Sequence, residues 1–279
     1  MRLLALLLAG LFALPACAQT LDKIRKQGAI TLGYIDGAAP FPYADGNGEP
    51  QGYSVDLCRA VAAGIAEQLK RPGLKTRWVK LTIQDRIEAV RARKVDVECS
   101  TTTSTLSRQK LVDFSLLTFV DGGSILTRID SPANKLADLG GRKVAVIRGT
   151  TTERALRDAL TRGMVQAEMV PIATRDEGLE LLRQSKVDGL ASDRTTLIGV
   201  VVTRAKGDIF KLLDEDFSIE QYALMLPRND ADFRLAVNRG LARLYRSREI
   251  DKVYQKWLGR LGPPSILLSA TYFIQGLSE

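Results

Sequence analysis

Histidine is absent from the 279-residue sequence, and its absence excludes several kinds of active site. Ser-His-Asp and Cys-His nucleophilic systems need an imidazole, and so does any metal site with histidine ligands. An enzyme made from this chain would have to work with carboxylates, lysine or tyrosine. The sequence therefore favours a binding protein, and we expect no catalytic residue, no cofactor and no bound metal.

Cysteine is scarce, with Cys17, Cys58 and Cys99 as its three occurrences. Two remain if the N-terminal segment is removed, which is too few for a tetrahedral zinc site. In an oxidising compartment a disulfide can join Cys58 to Cys99. Two buried free thiols are the alternative, because both cysteines stand beside apolar residues.

Long apolar runs are missing too, since no segment reaches 18 uninterrupted apolar residues and a membrane-spanning helix needs roughly 20. The short apolar run 3–14 follows Arg2 and precedes small residues, which is the pattern of a secretory signal. We predict a signal segment over residues 1–18, cleavage after Ala18 and a periplasmic protein. Residues 14–17 also resemble a lipoprotein cleavage box, in which Cys17 would carry the lipid.

Basic residues outnumber acidic ones, 40 against 32, and such a balance can indicate nucleic acid binding. Here the lysines and arginines are scattered among acids, and export separates the protein from nucleic acid. We therefore interpret the excess as an ordinary basic surface and predict no nucleic acid partner.

A short internal echo indicates two similar units. Residues 94–100, Lys-Val-Asp running into hydroxyl residues, correspond to residues 186–193, about 92 positions later. Residues 29–33 likewise have a counterpart in residues 143–147. The pattern predicts an α/β fold with two lobes of mostly parallel sheet, where ligands bind at the carboxyl ends of strands. A chance match is the alternative for so short an echo.

Polar side chains follow the predicted strand ends. The first group is Thr101, Thr102 and Thr103 with Arg108. Threonines offer hydroxyl and backbone groups, and a planar guanidinium fits a carboxylate. The plainer interpretation is a polar loop with a surface charge.

Two further groups lie at predicted helix starts. Thr150 and Thr151 precede a helix whose free N–H groups favour an anion, although either threonine can simply cap that helix. Asp193 ends the repeated strand and suits an ammonium group, with helix capping as the alternative. Together with Arg108, these residues could hold a free amino acid by its two charged ends. Each charge-assisted contact contributes about 1.5–3 kcal/mol, so two or three support micromolar binding.

The chain resembles the family 3 extracellular solute-binding proteins of polar amino acid importers. The matching stretches follow the expected order over nearly the whole chain after residue 18, although Ser54 replaces an acid that is usual in the family. They are residues 21–24, 39–43, 52–57, 99–108, 113–115, 149–151, 192–193 and 257–258. The chain most resembles the glutamate/aspartate-binding branch, through residues 84–87, 98–99 and 263–264.

The resemblance implies a periplasmic binding protein of type II, a Venus flytrap whose lobes are joined by strands near residues 120–123 and 218–223. The expected lobes are residues 19–121 plus 220–279, and residues 122–219. The expected function is the solute-binding component of an ABC importer, monomeric, closing on a free L-amino acid and delivering it to an inner-membrane permease.

The resemblance also implies residue roles. Arg108, Thr103 and Thr151 would bind the α-carboxylate, Asp193 and Thr101 would bind the ammonium, and Arg86 would contact the ligand side chain. The acidic branch has a cation where Ile35 stands, a hydroxyl at Ile83 and a histidine at Glu177. Because these replacements remove cations and add an acid, they predict a neutral or somewhat apolar amino acid.

Two other functions stay open. A periplasmic dehydratase-like enzyme of the same fold could use a carboxylic acid as general acid, and Glu177 is the candidate. A ligand-presenting sensor protein is the third alternative.

Overall fold

The computed structural model of the chain describes residues 19–204 and 209–279. The predicted signal segment 1–18 and the lipidation candidate Cys17 lie outside the described residues. The helices are α1 Gln19–Gln27, α2 Tyr53–Gln68, α3 Arg86–Arg91, α4 Leu106–Gln109, α5 Thr151–Arg162, α6 Arg175–Arg183, α7 Arg194–Arg204, α8 Ala231–Arg246, α9 Glu249–Leu258 and α10 Ile266–Gln275, with short 3₁₀ helices at Leu136–Leu139 and Gly259–Leu261. The strands are β1 Ala29–Ile35, β2 Tyr43–Ala44, β3 Pro50–Gln51, β4 Lys75–Leu81, β5 Val97–Glu98, β6 Asp113–Arg128, β7 Lys143–Ile147, β8 Glu168–Ile172, β9 Gly189–Asp193, β10 Phe210–Leu212 and β11 Ser218–Leu226.

The main sheet has two halves with the same topology. Its strand order is β4-β1-β5-β11-β6-β9-β7-β8, and β10 pairs with β6. In the first half β1 lies parallel to β4 and β5, and in the second half β7 lies parallel to β8 and β9. The long antiparallel pair β6 and β11 runs between the halves. The predicted α/β fold class with two similar, mostly parallel sheets is confirmed.

The sequence echo has a structural counterpart. Asp96 accepts a hydrogen bond of 2.8 Å from the Thr31 amide, and its own amide donates to Thr31 O. Asp188 forms the same two contacts with Lys143 in the second half. The aspartate of the repeated Lys-Val-Asp therefore connects the segment just before β5 to β1 in the first half, and the segment just before β9 to β7 in the second half.

The strand predicted over residues 94–100 is reduced to Val97–Glu98. Cys99 and Ser100 still hydrogen-bond to β1. Beyond Ser100 the chain hydrogen-bonds to β11, through Ser104 N to Gln221 O and Ala223 N to Thr102 O. This change of partner strand places Thr101, Thr102 and Thr103, here called the threonine run, at the junction between the two halves.

Separate apolar clusters support the two halves. Ile30, Leu57 and Phe233 belong to the cluster between β1, α2 and α8, whereas Leu179 and Leu190 belong to the cluster under α6. Burial of such side chains stabilises each half by about 1.5–3 kcal/mol per residue. Among the described residues, no helix combines the length and apolar character needed to cross a membrane.

Cys58 and Cys99 form a disulfide, which decides between the two alternatives left by the sequence. Both residues are fully buried in the first half. The bond ties α2 to the end of β5, directly before the threonine run, and so anchors one side of the junction.

Candidate functional site

The residues predicted to bind ligand come together where the two halves of the sheet meet. Arg86 begins α3 and Arg108 lies in α4, both in the first half, whereas Asp193 ends β9 in the second half. All three are buried, with 5%, 8% and 6% of their surface exposed. Burial is the main effect that lowers the pKa of both arginines, and the Asp193 charge is among the effects that oppose this lowering. Charged groups that are far apart in sequence thus share one interior region.

Arg108 is held beneath the threonine run. Thr105 caps α4 by accepting a hydrogen bond from the Arg108 amide, and the guanidinium Nη1 donates to Thr103 O at 2.8 Å. Burial is the main effect that lowers the pKa of Arg108 to about 10, and the neighbouring Arg86 cation adds to it. The side chain still carries its charge at neutral pH, and a buried charged guanidinium is a strong anion ligand.

The hydroxyls of Thr103 and Thr151, which were predicted to bind the ligand carboxylate, both contact Glu220. Both donate to Glu220 Oε2, at 2.5 Å and 2.8 Å, and the two hydroxyl oxygens are 3.2 Å apart. Ser218 donates to the other Glu220 oxygen at 2.8 Å. Because a hydroxyl has a single proton to donate, neither threonine hydroxyl donates to a ligand carboxylate in this arrangement. The contact joins the two halves through β11.

Thr150 caps α5, which is the plainer of its two interpretations. Its hydroxyl accepts from the Glu153 amide at 3.0 Å and donates to Ile147 O at 2.7 Å. The side chain is therefore committed to the helix start. The first-turn amides of α5 remain the anion-binding feature of this segment. Thr101, which was predicted to contact the ammonium, is buried beside Thr102.

Asp193 accepts two hydrogen bonds within the junction. Thr152 donates to Oδ1 at 2.9 Å and the Tyr222 hydroxyl donates to Oδ2 at 2.6 Å. Tyr222 Oη also lies 3.3 Å from Asp121 Oδ2. Each carboxylate oxygen can accept a second hydrogen bond, so Asp193 keeps capacity for an ammonium group.

Asp121 lies on β6 beside this network. Burial is the main effect that raises its pKa to about 7, and the Asp193 charge adds to it, although the Gly122 amide and the Thr195 hydroxyl and amide oppose the rise. Two carboxyl groups so close cannot easily both ionise. Asp121 is therefore partly protonated near neutral pH.

Glu98 lies beneath the arginines and is fully buried. Neither of its oxygens, nor Arg86 Nε, nor Thr102 Oγ1 has a hydrogen-bond partner of normal geometry among the described residues. Burial raises the pKa of Glu98, and the Arg86 charge is the largest effect that opposes the rise. Buried polar atoms without partners usually mark a water or ligand site.

Arg175, which the sequence interpretation missed, completes the group of buried cations. It begins α6 directly after the cap Thr174, and its Nε donates to Ser192 Oγ at 3.0 Å. The side chain is 9% exposed, and its charge lowers the pKa of Arg86. A cation in the first turn of a helix is disfavoured by the helix dipole, and this was the sequence signal that could have identified it.

Glu177, the position aligned with a histidine, is exposed. Its carboxylate accepts from the Ala173 amide at 2.7 Å, while its own amide donates to the Thr174 hydroxyl at 3.2 Å. Thr174 and Glu177 thus both serve the start of α6, although Glu177 accepts from the residue before the cap and not from the cap residue itself, as it would in a capping box. The side chain predicted as a candidate general acid therefore serves the start of α6.

A cavity of about 350 Å³ opens between the two halves. Ile35 and Ile83, two of the three positions where the sequence departs from the acidic branch, both line it. Arg175 lines it from the opposite half. Lys80 and Asp36 also line it, and they form an ion pair of 2.8 Å with each other.

The family comparison matches residues 30–260 to the bacterial extracellular solute-binding proteins, family 3. An L-glutamate/L-aspartate-binding protein of Pseudomonas aeruginosa is 32% identical over 263 residues, covering 92% of this chain and 87% of the relative. A glutamate/aspartate import solute-binding protein of Escherichia coli is 30% identical over 255 residues, covering 91% and 84%.

Solved structures of amino acid-binding proteins share the fold. An ancestral arginine-binding protein bound to arginine superposes with a TM-score of 0.74 at 26% identity, covering 83% of this chain and 99% of that one. An ancestral amino acid-binding protein described as a precursor of cyclohexadienyl dehydratase gives a TM-score of 0.73 at 28% identity, covering 85% and 99%.

Proposed function

Because the chain belongs to the family 3 bacterial extracellular solute-binding proteins, we propose that it is the solute-binding component of an amino acid ABC importer. It binds a free L-amino acid at the junction of its two halves. The curated relatives named above are binding proteins of importers or of amino acids, which supports binding and transport over catalysis.

The observation that carries the proposal is the meeting of Arg108 and Asp193. They come from different halves, carry opposite charges and are both buried. An amino acid zwitterion presents a carboxylate and an ammonium on one carbon, so it can bridge such a pair. Arg108 and the first-turn amides of α5 take the carboxylate, while Asp193 and Thr101 take the ammonium.

The proposed movement is closure about β6 and β11. We assign residues 19–121 with 220–279 to one lobe and residues 122–219 to the other. The arrangement described here is a closed one, since Thr103 and Thr151 meet at Glu220. Gly199 of α7 also lies so close to Ala39 that an added Cβ would be 1.8 Å from the Ala39 carbonyl oxygen. A ligand favours closure to the extent that its contacts are better in the closed form.

The location and partners follow from the same proposal. The family is extracellular, and we place this member in the periplasm, after removal of residues 1–18 or attached through Cys17. Its partner is an inner-membrane ABC permease that recognises the closed form of a monomer. A sensor protein would bind the same ligand, but its closed form would act on a receptor instead.

A ligand screen tests the proposal. The full chain, expressed with its own N-terminal segment and purified from the periplasm, is screened against the common L-amino acids by thermal shift and then by calorimetry. At least one amino acid should raise the melting temperature, because binding to the native state stabilises it. Failure of all of them to shift the melting temperature would exclude the proposed function. Turnover of prephenate or arogenate by the same preparation would favour the enzyme instead.

A further inference from the structure

We propose that Asp121, a residue of β6, is a positioning residue for the ammonium site, which is defined here as Asp193 with its two donors Thr152 and Tyr222. Asp121 acts through the Tyr222 phenol, and it gives up a proton to solvent when the ammonium group of an amino acid binds to Asp193. This inference rests on the proposed function and adds a residue to which the family resemblance gives no role.

A single phenol proton lies between two carboxyl groups. Tyr222 Oη is 2.6 Å from Asp193 Oδ2 and 3.3 Å from Asp121 Oδ2. A phenol has one proton to donate, and the shorter contact takes it, so a lone pair of Tyr222 Oη faces Asp121. Two oxygens without a proton between them repel each other, whereas a protonated Asp121 can donate to the phenol.

The other contacts of Asp121 indicate which of its oxygens carries this proton. Oδ1 accepts from the Gly122 amide at 2.9 Å and from the Thr195 hydroxyl at 3.0 Å, which uses the two lone pairs of that oxygen. Oδ2 accepts from the Thr195 amide at 3.2 Å and has its other side directed at Tyr222. The carboxyl proton therefore belongs on Oδ2, and hydrogen bonds run from Asp121 through Tyr222 to Asp193.

The surroundings of Asp121 favour its protonated form. Burial, and after it the Asp193 charge, raises the pKa of Asp121 to about 7. Arg194 lines a cavity together with Asp121, but it is paired with Asp216 at 2.6 Å, so its charge is already offset. The titratable groups on the elements packed against Asp121 are Asp193 of β9, Glu220 and Tyr222 of β11, Arg194 of α7, Asp216 of the segment before β11 and Tyr254 of α9.

An amino acid ammonium changes this balance. At Asp193 its positive charge offsets the negative charge that favours the proton on Asp121, and the pKa of Asp121 falls. The proton leaves Oδ2 for solvent through the cavity of about 660 Å³ that Asp121 lines beside β6 and β11. Because binding releases a proton, affinity rises as the pH increases toward about 7 and changes little above it.

Calorimetry on the wild-type protein counts the released protons. The probe is the L-amino acid that raises the melting temperature most in the screen described above. Titration at pH 7 in phosphate and in Tris, two buffers with different enthalpies of ionisation, should show release of roughly half a proton, because a group with a pKa of about 7 is half protonated at that pH.

The affinity itself should depend on pH in the same direction. We expect binding about tenfold tighter at pH 8 than at pH 5.5, which equals a tenfold change in the acid dissociation constant of Asp121 on binding. The chain contains no histidine, the side chain that ordinarily titrates in this range. These measurements need no variant, so they cannot be confused by a folding defect.

Variants then assign the proton to Asp121. The amide of Asp121→Asn can donate to Tyr222 as the protonated acid does, but it cannot titrate. This variant should bind the probe with the wild-type affinity of pH 5.5 at every pH, and it should release no proton. Asp130→Asn is the matched control, because Asp130 pairs with Arg128 at the far end of β6 and has 70% of its side chain exposed. It should retain the wild-type proton release, and circular dichroism establishes that each variant is folded.

Two outcomes overturn the inference and leave the proposed function intact. One is a wild-type protein that binds the probe without releasing a proton and with equal affinity at pH 5.5 and pH 8. The other is a folded Asp121→Asn protein that releases as many protons as wild type. If no amino acid binds at all, the proposed function fails together with the inference.

Discussion

The phenol of Tyr222 donates a hydrogen bond of 2.6 Å to Asp193 Oδ2, joining β11, which runs between the two halves, to the end of β9. Tyr222 is almost fully buried, and burial followed by the Asp193 charge raises its pKa well above the ordinary value. The tyrosine thus keeps its proton at neutral pH and holds the carboxylate in one orientation.

Tyr222→Phe should therefore weaken amino acid binding about tenfold or more, since it removes a charge-assisted hydrogen bond worth about 1.5–3 kcal/mol. Calorimetry measures the affinity. Tyr245→Phe is a matched control, because Tyr245 donates to Leu117 O at 2.8 Å away from the site. It should lower stability and leave affinity unchanged. Equal effects of both variants on affinity would contradict the positioning role of Tyr222.

Arg108→Ala should reduce affinity for any amino acid ligand at least a hundredfold, about 3 kcal/mol, because the α-carboxylate loses its buried counter-charge. Asp193→Ala should have an effect of similar size on the ammonium side. Arg148→Ala, which removes an exposed arginine next to α5, is the comparison. Near-normal affinity in a folded Arg108 or Asp193 variant would remove that residue from the site.

Asp121 predicts a specific pH dependence of stability. Its pKa is raised from the ordinary 3.8 to about 7, first by burial and then by Asp193, so the folded protein binds a proton that the unfolded chain releases above about pH 4. Between these values the native state binds more protons, and stability falls as pH rises. The contribution is present below about pH 4 and is lost by about pH 7; the full shift corresponds to about 4 kcal/mol.

Urea denaturation at pH 5 and pH 8 measures this contribution. Because other acids such as Asp56 have lowered pKa values and act in the opposite direction, the difference between wild type and Asp121→Asn is the informative quantity. The asparagine variant should lose relatively less stability on going to pH 8. Parallel pH profiles for the two proteins would show that Asp121 ionises normally.

Gly199 should be required for closure. A Cβ there would be 1.8 Å from Ala39 O, across the junction. Gly199→Ala should therefore weaken ligand binding. It should also reduce the compaction that we expect small-angle scattering to detect when ligand binds. Without ligand the protein should be as stable as wild type or more so, because alanine favours a helix interior over glycine by about 1 kcal/mol.

The control for this substitution is Gly64→Ala in α2, where the added Cβ would lie at an ordinary 3.7 Å from Gly240 Cα. It should leave affinity unchanged. If Gly199→Ala binds ligand normally, the contact between α7 and Ala39 is not part of the ligand-bound form.

The Cys58–Cys99 disulfide closes a loop with a sequence separation of 41. Replacing both cysteines by alanine should lower the free energy of unfolding by about 2–4 kcal/mol, since the unfolded chain regains the freedom of that loop. Denaturant titration measures the loss. A thiol titration of the unfolded wild type, with and without reductant, should find two additional thiols after reduction once residues 1–18 are removed; equal counts would contradict the bond.

Much of the fold can be predicted from local pattern. The matched segments 29–33 and 143–147 of the internal echo are β1 and β7, the first strand of each half. Apolar periodicity and the repeated Lys-Val-Asp act over a few residues, so the sequence carries them directly. The same local patterns placed Arg108 and Asp193 just after or at predicted strand ends. Polar groups at such ends come together in this topology.

The polar partners could not be predicted in this way. Glu220 and Tyr222 face the junction because β11 alternates its side chains, and their partners Thr103 and Asp193 are 117 and 29 residues away in sequence. Nothing local to either strand indicates which of these distant groups will meet. The use of the threonine hydroxyls by Glu220 was therefore missed.

The start of α6, at Arg175 and Glu177, shows most directly what the sequence determined and what the tertiary structure determined. The sequence by itself determined a threonine-capped helix with a cation in its first turn, and the two α/β halves that carry the charged groups. Only the tertiary structure decided that the arginine lines the cavity beside Ile35 and Ile83. The physical reason is that helix capping depends on neighbours three or four residues away, whereas the surroundings of a buried charge depend on how distant strands cross.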